Sequence, residues 1–424
     1  MYVVGFASGE PMVLRIADSG GGTSGTELDL LREAQVYRAL ADSDIIMPRL
    51  HGIRGDGSAM LLSCVRGTHD LTQCSATERA IISDEYVACL SMLHRQDADA
   101  LDIPRLLRPE NPRDHALNEL DLWARLREAK VLRPLPLVDC AFTIMRQNAP
   151  EYQGPLALCH GDVGPGNFMF ADGQITALID WELAHFGDPM DDLAAWIFRG
   201  HEWGSTAGGV SGGDLRQQLS TWSDLTGQPI GPDRLRFYRV MVLLKFYILG
   251  VSILDTGSEA QDRLPPLRTL PALDMKLAQG LLQLVGAPVG PPEPPIFAAA
   301  SIASDAAGIL RRNLEEVILP SVSDDEIIRR VRTAAEIAQH LALVDQFGPA
   351  IHTETMLDLT KVLGFAPPTV AQGELALGQL AIGSQADALK VVRYFVRRGA
   401  RQATLWPAVA ERAFIALPDI TDLF

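Results

Sequence analysis

Lysine is nearly missing from this chain of 424 residues. Of 37 basic residues only five are lysines, at 130, 245, 276, 361 and 390, so the first 129 positions contain none. An anion held by that stretch must be met by arginine, by backbone N–H groups or by a metal ion. Cysteine is also scarce: Cys64, Cys74, Cys89, Cys140 and Cys159, with none in the last 265 residues. The count is odd and no CxxC pair occurs, which argues against a disulfide framework and a zinc-ligand spacing and for reduced thiols. No uninterrupted apolar run reaches the roughly 18 residues of a membrane span. The first residues, MYVVGFASGEP, lack a basic stretch followed by an apolar one, so no signal peptide is expected and a cytoplasmic location is. Positive charge is outweighed: the net charge of −16 argues against general nucleic-acid binding, because it repels a phosphate backbone.

What is present points to a folded chain of more than one domain. Hydrophobic residues make up 47% and charged residues 21%, enough apolar material for a core. The clearest break is GAPVGPPEPP at 286–295. Five prolines and two glycines in ten residues suit a semi-rigid linker. Upstream, residues 2–5 and 12–17 read as short strands around a turn at Ala7–Pro11. Residues 27–41 repeat apolar positions near the helical period, and AMLLSCV at 59–65 reads as a buried strand. From about residue 78 the pattern is mostly helical, interrupted at 156–182 by short apolar runs between turn residues. The expected domains are a front lobe at 1–66, a helical lobe at 67–285, the linker, and a helical region at 296–424. In that last region Ser323 and Glu326 have capping-box spacing, and further helices are expected at 351–363, 370–398 and 406–415. No long-period repeat is visible.

The chemistry concentrates in LALCHGDVGPGNFMFADGQITALIDWE, residues 156–182. Phosphoryl transfer needs a carboxylate to take the attacking hydroxyl's proton and oxygen ligands to hold Mg²⁺ on the phosphates. Asp162 and Asn167, five apart on a Gly/Pro-rich turn, with Asp180 at the end of an apolar strand, supply those groups. Asp162 is the candidate base, and Asn167 and Asp180 are the candidate metal ligands. His160 is expected to orient the loop by hydrogen bonding, and Gly161 to allow a backbone conformation closed to other residues.

HGDVGPGN followed by IDWE resembles the aminoglycoside phosphotransferase and choline kinase family, whose members carry H-G-D-x4-N and then I-D-[WFY]-E at this spacing. The longer stretch IDWELAHFGDPMDDLA is similar to a subgroup found beside acyl-CoA dehydrogenases. The resemblance covers about residues 1–285, and the tail resembles an uncharacterised helical family appended to such kinases. It implies an α+β, protein-kinase-like, two-lobed fold followed by an all-α domain, with ATP and Mg²⁺ as cofactors. It implies the same roles for Asp162, Asn167 and Asp180.

In kinase-like folds a strand lysine binds the nucleotide phosphates and a helix glutamate orients it. Here the strand position holds Arg15, which can bind phosphate as a fork, and the helix partner by pattern is Glu33. Cys64 and Val65 fall where a hinge would meet the adenine edge. SGGGTSGT at 19–26 follows the Arg15 strand and lacks the Gly-Lys-Ser/Thr ending of a P-loop, so it reads as a loop into the Glu33 helix. Relatives carry a Gly-rich hairpin before that strand. With fourteen residues ahead of Arg15, the front lobe reads as truncated, and a start placed too late is the favoured explanation over impaired ATP binding.

Weaker candidates complete the reading. Asp188 and Pro189 suit the start of a helix, with Asp192 anchoring that helix to the loop. His94 is expected to be structural. His201, Glu202 and Trp203 could face an acceptor pocket. Arg397, Arg398 and Arg401 form a basic cluster, either a solvated helix face or a contact for an acidic partner or a CoA phosphate. The expected activity is transfer of the γ-phosphate of ATP to a hydroxyl of a small molecule. Aminoglycosides, choline, homoserine, sugars and hydroxyacyl-CoA are the acceptors that the resemblance offers, with a slight lean to the last. The competing readings are a degenerate kinase-like binding or regulatory module and a nucleotidyl transferase. A protein partner or self-association would run through residues 296–424.

Overall fold

The structure is a computed structural model that describes all residues except 6–8, 18–26, 153, 203–210, 257–259, 291–295, 297, 299–300, 408–416 and 424. The front lobe begins with β1 (Tyr2–Val4) and β2 (Met12–Ile16), followed by α1 (Leu30–Ala39), β3 (Leu50–Ile53) and β4 (Ala59–Ser63). The four strands form one antiparallel sheet in the order β1-β2-β4-β3. Helix α1 starts where Asp29 accepts the N–H of Arg32, and it buries Leu30, Glu33, Ala34 and Tyr37 on one face. Strand β3 has no counterpart in the sequence reading. Its four residues include His51 and Gly52, and its register slips between Leu50 and Gly52, so pairing with β4 makes it a strand where its own pattern does not. The Gly-rich 19–26 segment lies outside the described residues.

The second lobe is built on helices α2 (Ala76–His94), α3 (Pro112–Lys130) and α4 (Pro136–Gln147). Then come the short strands β5 (Ala157–Cys159), β6 (Phe168–Ala171), β7 (Gln174–Leu178) and β8 (His185–Gly187). β6 and β7 form a hairpin, and β5 pairs with β8. Helix α5 (Met190–Trp196) runs on into a wider π-type turn at Ile197–Glu202, followed by α6 (Leu215–Thr226), α7 (Pro232–Thr256) and α8 (Ala260–Leu284). α7 is long and apolar enough to cross a membrane, but most of it is buried here. Its Lys245 ammonium bridges Asp191 (2.9 Å) and Glu119 (3.1 Å), and its fully buried Arg239 meets Glu202 at 2.8 Å. α7 is a core helix, and its charges are paired as burial requires.

Past Gly286, which ends α8 in a left-handed conformation, lie α9 (Ile302–Arg312), α10 (Asp325–Leu363), α11 (Val370–Ala381) and α12 (Gln385–Ala403). Leu377, Val391, Val392 and Tyr394 of this region join the same apolar cluster as Val138 and Ile144 of α4 and Leu277 of α8. A Cβ on Gly399 would lie 2.6 Å from the backbone of Pro271 and Met275, so α12 meets α8 backbone to backbone.

Several local expectations are corrected. Asp324, not Ser323, caps α10 and accepts the N–H of Ile327. α10 is one helix through Pro349, not two, because losing one N–H costs less than its buried face contributes. Residues 370–398 divide at Ile382–Ser384, where Ser384 accepts the N–H of Asp387 and starts a new helix. The helix expected at 406–415 lies almost wholly outside the described residues. Arg397, Arg398 and Arg401 are neither a solvated face nor an open anion site. Arg397 and Arg401 reach Asp358, and Arg398 reaches Asp274 and Glu374.

Candidate active site

The β6–β7 hairpin explains why the motif residues stand at their spacing. Asp172 and Gly173 turn the chain with φ of 54° and 78°, a pair that matches the twist of a two-residue hairpin. Phe168 then faces Leu178 across the ladder. The ladder extends one step further, where Ile179 donates its N–H to the carbonyl of Asn167 at 3.0 Å. Asn167 and Asp180, thirteen apart in sequence, are thereby neighbours. Asp180 takes a left-handed backbone (φ 70°, ψ 61°), an uncommon conformation for a residue other than glycine.

The loop before β6 is held from both sides. His160 is fully buried and pairs with the carbonyl of Ile179 at 2.9 Å through Nε2, and its Nδ1 faces the N–H of Asp162 at 3.4 Å. These two contacts tie the ring to the end of β7 and to the loop at Asp162. Gly161 has φ of 81°, and a Cβ there would lie 2.1 Å from the carbonyl of Leu183, so no other residue fits. The Asp192 carboxylate accepts the N–H groups of His160 (2.7 Å) and Gly161 (2.8 Å) and a hydrogen bond from His94 (2.9 Å). Burial alone would raise its pKa, but the hydrogen bond from His94 outweighs that and holds it at about 2. Trp222 donates to the other nitrogen of His94 at 2.9 Å, which confirms His94 as structural.

At the centre, the Asn167 amide donates to the backbone carbonyl of Asp162 (2.6 Å) and to its carboxylate (2.5 Å). With its nitrogen engaged by Asp162, the amide turns its oxygen away from that residue. Sequence reasoning missed the carboxylate's second partner: Arg199, on the π-type turn after α5, meets it at 2.5 Å. On the nucleotide side Arg15 joins Glu33 (2.9 Å), Asp180 (2.7 Å) and Glu182 (3.3 Å). Burial works against the charge of Arg15, yet the three acids outweigh it and raise its pKa above the usual range. Burial pushes Glu33 up to about 8 and, with help from Asp180, Glu182 up to about 7. Glu182 is the last residue of the IDWE motif. Nearby Arg32 donates to the carbonyls of Glu182 and Ala184 at 2.7 Å each, tying α1 to the segment after Asp180.

Cys64 is exposed and Val65 half-buried just past β4, and the Cys64 N–H donates to the Pro11 carbonyl at 3.3 Å. The cap position of α5 falls on Pro189, one residue later than expected; Asp188 before it accepts the N–H of Met190 at 3.0 Å and pairs with Arg234 at 2.9 Å. His201 and Glu202 bond to Gln218 (3.1 Å) and Arg239 (2.8 Å) instead of standing free for an acceptor. Trp203 lies outside the described residues.

A metal ion and a nucleotide find a fitting donor set here. The Asn167 amide oxygen and the Asp180 carboxylate are hard oxygen atoms of the kind Mg²⁺ takes, and one buried Glu33 oxygen has no hydrogen-bond partner among the described residues.

The model of the phosphotransferase enzyme family matches residues 1–238. Over 122 residues, 28% of the chain, the sequence is 30% identical to acyl-CoA dehydrogenase family member 11 of Rattus norvegicus and 25% identical to the Homo sapiens protein of that name. The matched stretch is 15% of each relative's length, so the chain spans only a small part of these curated relatives. A solved structure from Ralstonia eutropha, named for the aminoglycoside phosphotransferases, superposes with a TM-score of 0.52 at 22% identity, over 66% of this chain and 88% of that one. That likeness shows the kinase-like α+β fold.

Proposed function

The chain belongs to the phosphotransferase enzyme family, and on that premise we propose that it moves the γ-phosphate of ATP, with Mg²⁺, to a hydroxyl of a small molecule. The observation that carries this reading is the Asn167 amide. By donating to Asp162 it fixes the base and leaves its own oxygen for the metal that Asp180 would share. Asp162 accepts the proton of the attacking hydroxyl, and Arg15 turns from Asp180 and Glu182 toward the phosphates while Glu33 steadies it. The bound Mg²⁺ would neutralise charge on the phosphate oxygens. For the acceptor, the association with relatives named for acyl-CoA dehydrogenases supports a hydroxylated acyl thioester. A screen of hydroxylated metabolites with Mg-ATP, read by a product gain of one phosphate, tests the reaction and separates it from nucleotidyl transfer. Asp162→Asn should lower turnover by about 10²–10⁴-fold while Mg-ATP binding by calorimetry persists. Undiminished turnover in that variant rejects Asp162 as the base, and absent Mg-ATP binding by the unaltered chain supports a binding module instead.

A further inference from the structure

We infer that Arg199 is a positioning residue for the Asp162 carboxylate, an inference that rests on the proposed role of Asp162 as base. The guanidinium makes three contacts with the loop: Nη1 to the Asp162 carboxylate (2.5 Å), Nη1 to the Asp162 carbonyl (2.8 Å), and Nη2 to the Pro165 carbonyl (3.4 Å). It thus holds the side chain and the backbone of one residue together, and reaches two residues short of Asn167. With the Asn167 amide on one carboxylate oxygen and Arg199 on the other, the group is clamped from two directions. A carboxylate with two free torsions would otherwise sample orientations in which its lone pairs miss an incoming hydroxyl.

The loop is shaped to receive this arginine. Gly164 has φ of 154°, and a Cβ there would lie 2.8 Å from Nε and 2.9 Å from Cβ of Arg199. Beneath the guanidinium lies the ring of Phe246, 5.5 Å from its carbon, and the arginine side chain is only 18% exposed. The support also has a sequence logic. Asp192 and Arg199 stand seven residues apart on one helical run, so two turns bring them to the same side. Asp192 accepts the N–H groups that open the loop at 160 and 161, and Arg199 donates to the carbonyl that follows at 162. One element therefore grips the loop with an acceptor at its start and a donor at the base. The π-type turn at Ile197–Glu202 sets the second grip, a distortion of the kind found at functional sites.

The test uses the full chain with Mg-ATP and water as the acceptor, read by phosphate release. Arg199→Met should lower the rate at saturating nucleotide by about 100-fold while KM for Mg-ATP stays within about threefold. Arg199→Lys, which keeps the charge but loses the fork, should lose about tenfold, and it serves if the methionine variant does not fold. Placed on Asp162→Asn, the methionine change should add less than about threefold, since its effect runs through that carboxylate. A merely structural arginine would instead cost the same in both backgrounds and raise KM in step. Wild-type rates in Arg199→Met, or equal losses in both backgrounds, overturn the inference. If Asp162→Asn itself hydrolyses ATP at the wild-type rate, the proposed base fails and takes this inference with it; if only Arg199→Met is unaffected, the base stands and Arg199 alone is misassigned.

Discussion

Between residues 157 and 199 the buried polar groups His160, Asn167, Asp188 and Asp192 are each hydrogen-bonded, whereas α9 carries Ile302, Ile309 and Leu310 out into solvent. The two regions place their chemistry in opposite ways. The hairpin region is made of strands of three to five residues that could not stand alone, so its geometry comes from polar groups locked to specific partners. The C-terminal region is made of helices that form by local hydrogen bonding, so its faces need not all be covered. α12 and α11 are drawn into the second lobe's core, while α9 rests along α10 with most of its apolar residues exposed. The first arrangement fixes a few atoms within hydrogen-bonding tolerance. The second leaves an apolar surface for which a protein partner or self-association remains the proposed use.

Four changes would break or sharpen this contrast, beyond the site variants above. The largest effect is expected at Lys245, whose removal leaves Asp191 and Glu119 buried without their cation. Lys245→Met should cost about 3–5 kcal/mol in urea unfolding. In the other region, Arg398→Met removes the partner of Asp274 and Glu374, and with Arg398 26% exposed the cost should be smaller, about 2–3 kcal/mol. Turnover should survive that change, since Arg398 lies outside the proposed site.

A pH series probes the nucleotide side. Burial raises Glu182 from its ordinary 4.5 to about 7, so between those values the folded chain binds a proton that the unfolded chain releases. Stability from this group is present below about pH 4.5 and is lost as pH rises through about 7. The unfolding midpoint should therefore fall from pH 5 to pH 8, and Glu182→Gln should flatten that fall. The smallest effect is expected on α9: Ile309→Ser, at a residue 57% exposed, should shift stability by within about 0.5 kcal/mol. A larger loss there, lessened on dilution, would mean that a second copy covers this face.

Much of the site was legible before any coordinates. Asp162, Asn167 and Asp180 were singled out by residue type and by the paired spacing of HGDVGPGN and IDWE, and the structure brings Asp162 and Asn167 into hydrogen-bond contact. Arg15 and Glu33 were found by their place on a strand and on a helix face, and the structure joins them at 2.9 Å. Arg199 was not found. Its only local signal is a spacing of seven from Asp192, which any helix supplies many times over. His201 and Glu202 were expected toward an acceptor, but their partners Gln218 and Arg239 lie 17 and 37 residues further on, on other helices. The tail arginines were misread because their acids, Asp274, Asp358 and Glu374, lie 24 to 124 residues away.

The sequence by itself determined the chemistry available: an acid, an amide and a second acid on a hairpin whose Asp-Gly turn sets their register, and a front lobe with arginine as its sole cationic side chain. Helix ends and hairpin turns are local, so short-range hydrogen bonds and backbone preferences encode them. Only the tertiary structure decided which charges pair, which face of the helix after Asp188 grips the loop, and that helices beyond the proline-rich segment share the second lobe's core. Those outcomes depend on groups far apart in the chain meeting where water is excluded, and no local pattern records such meetings.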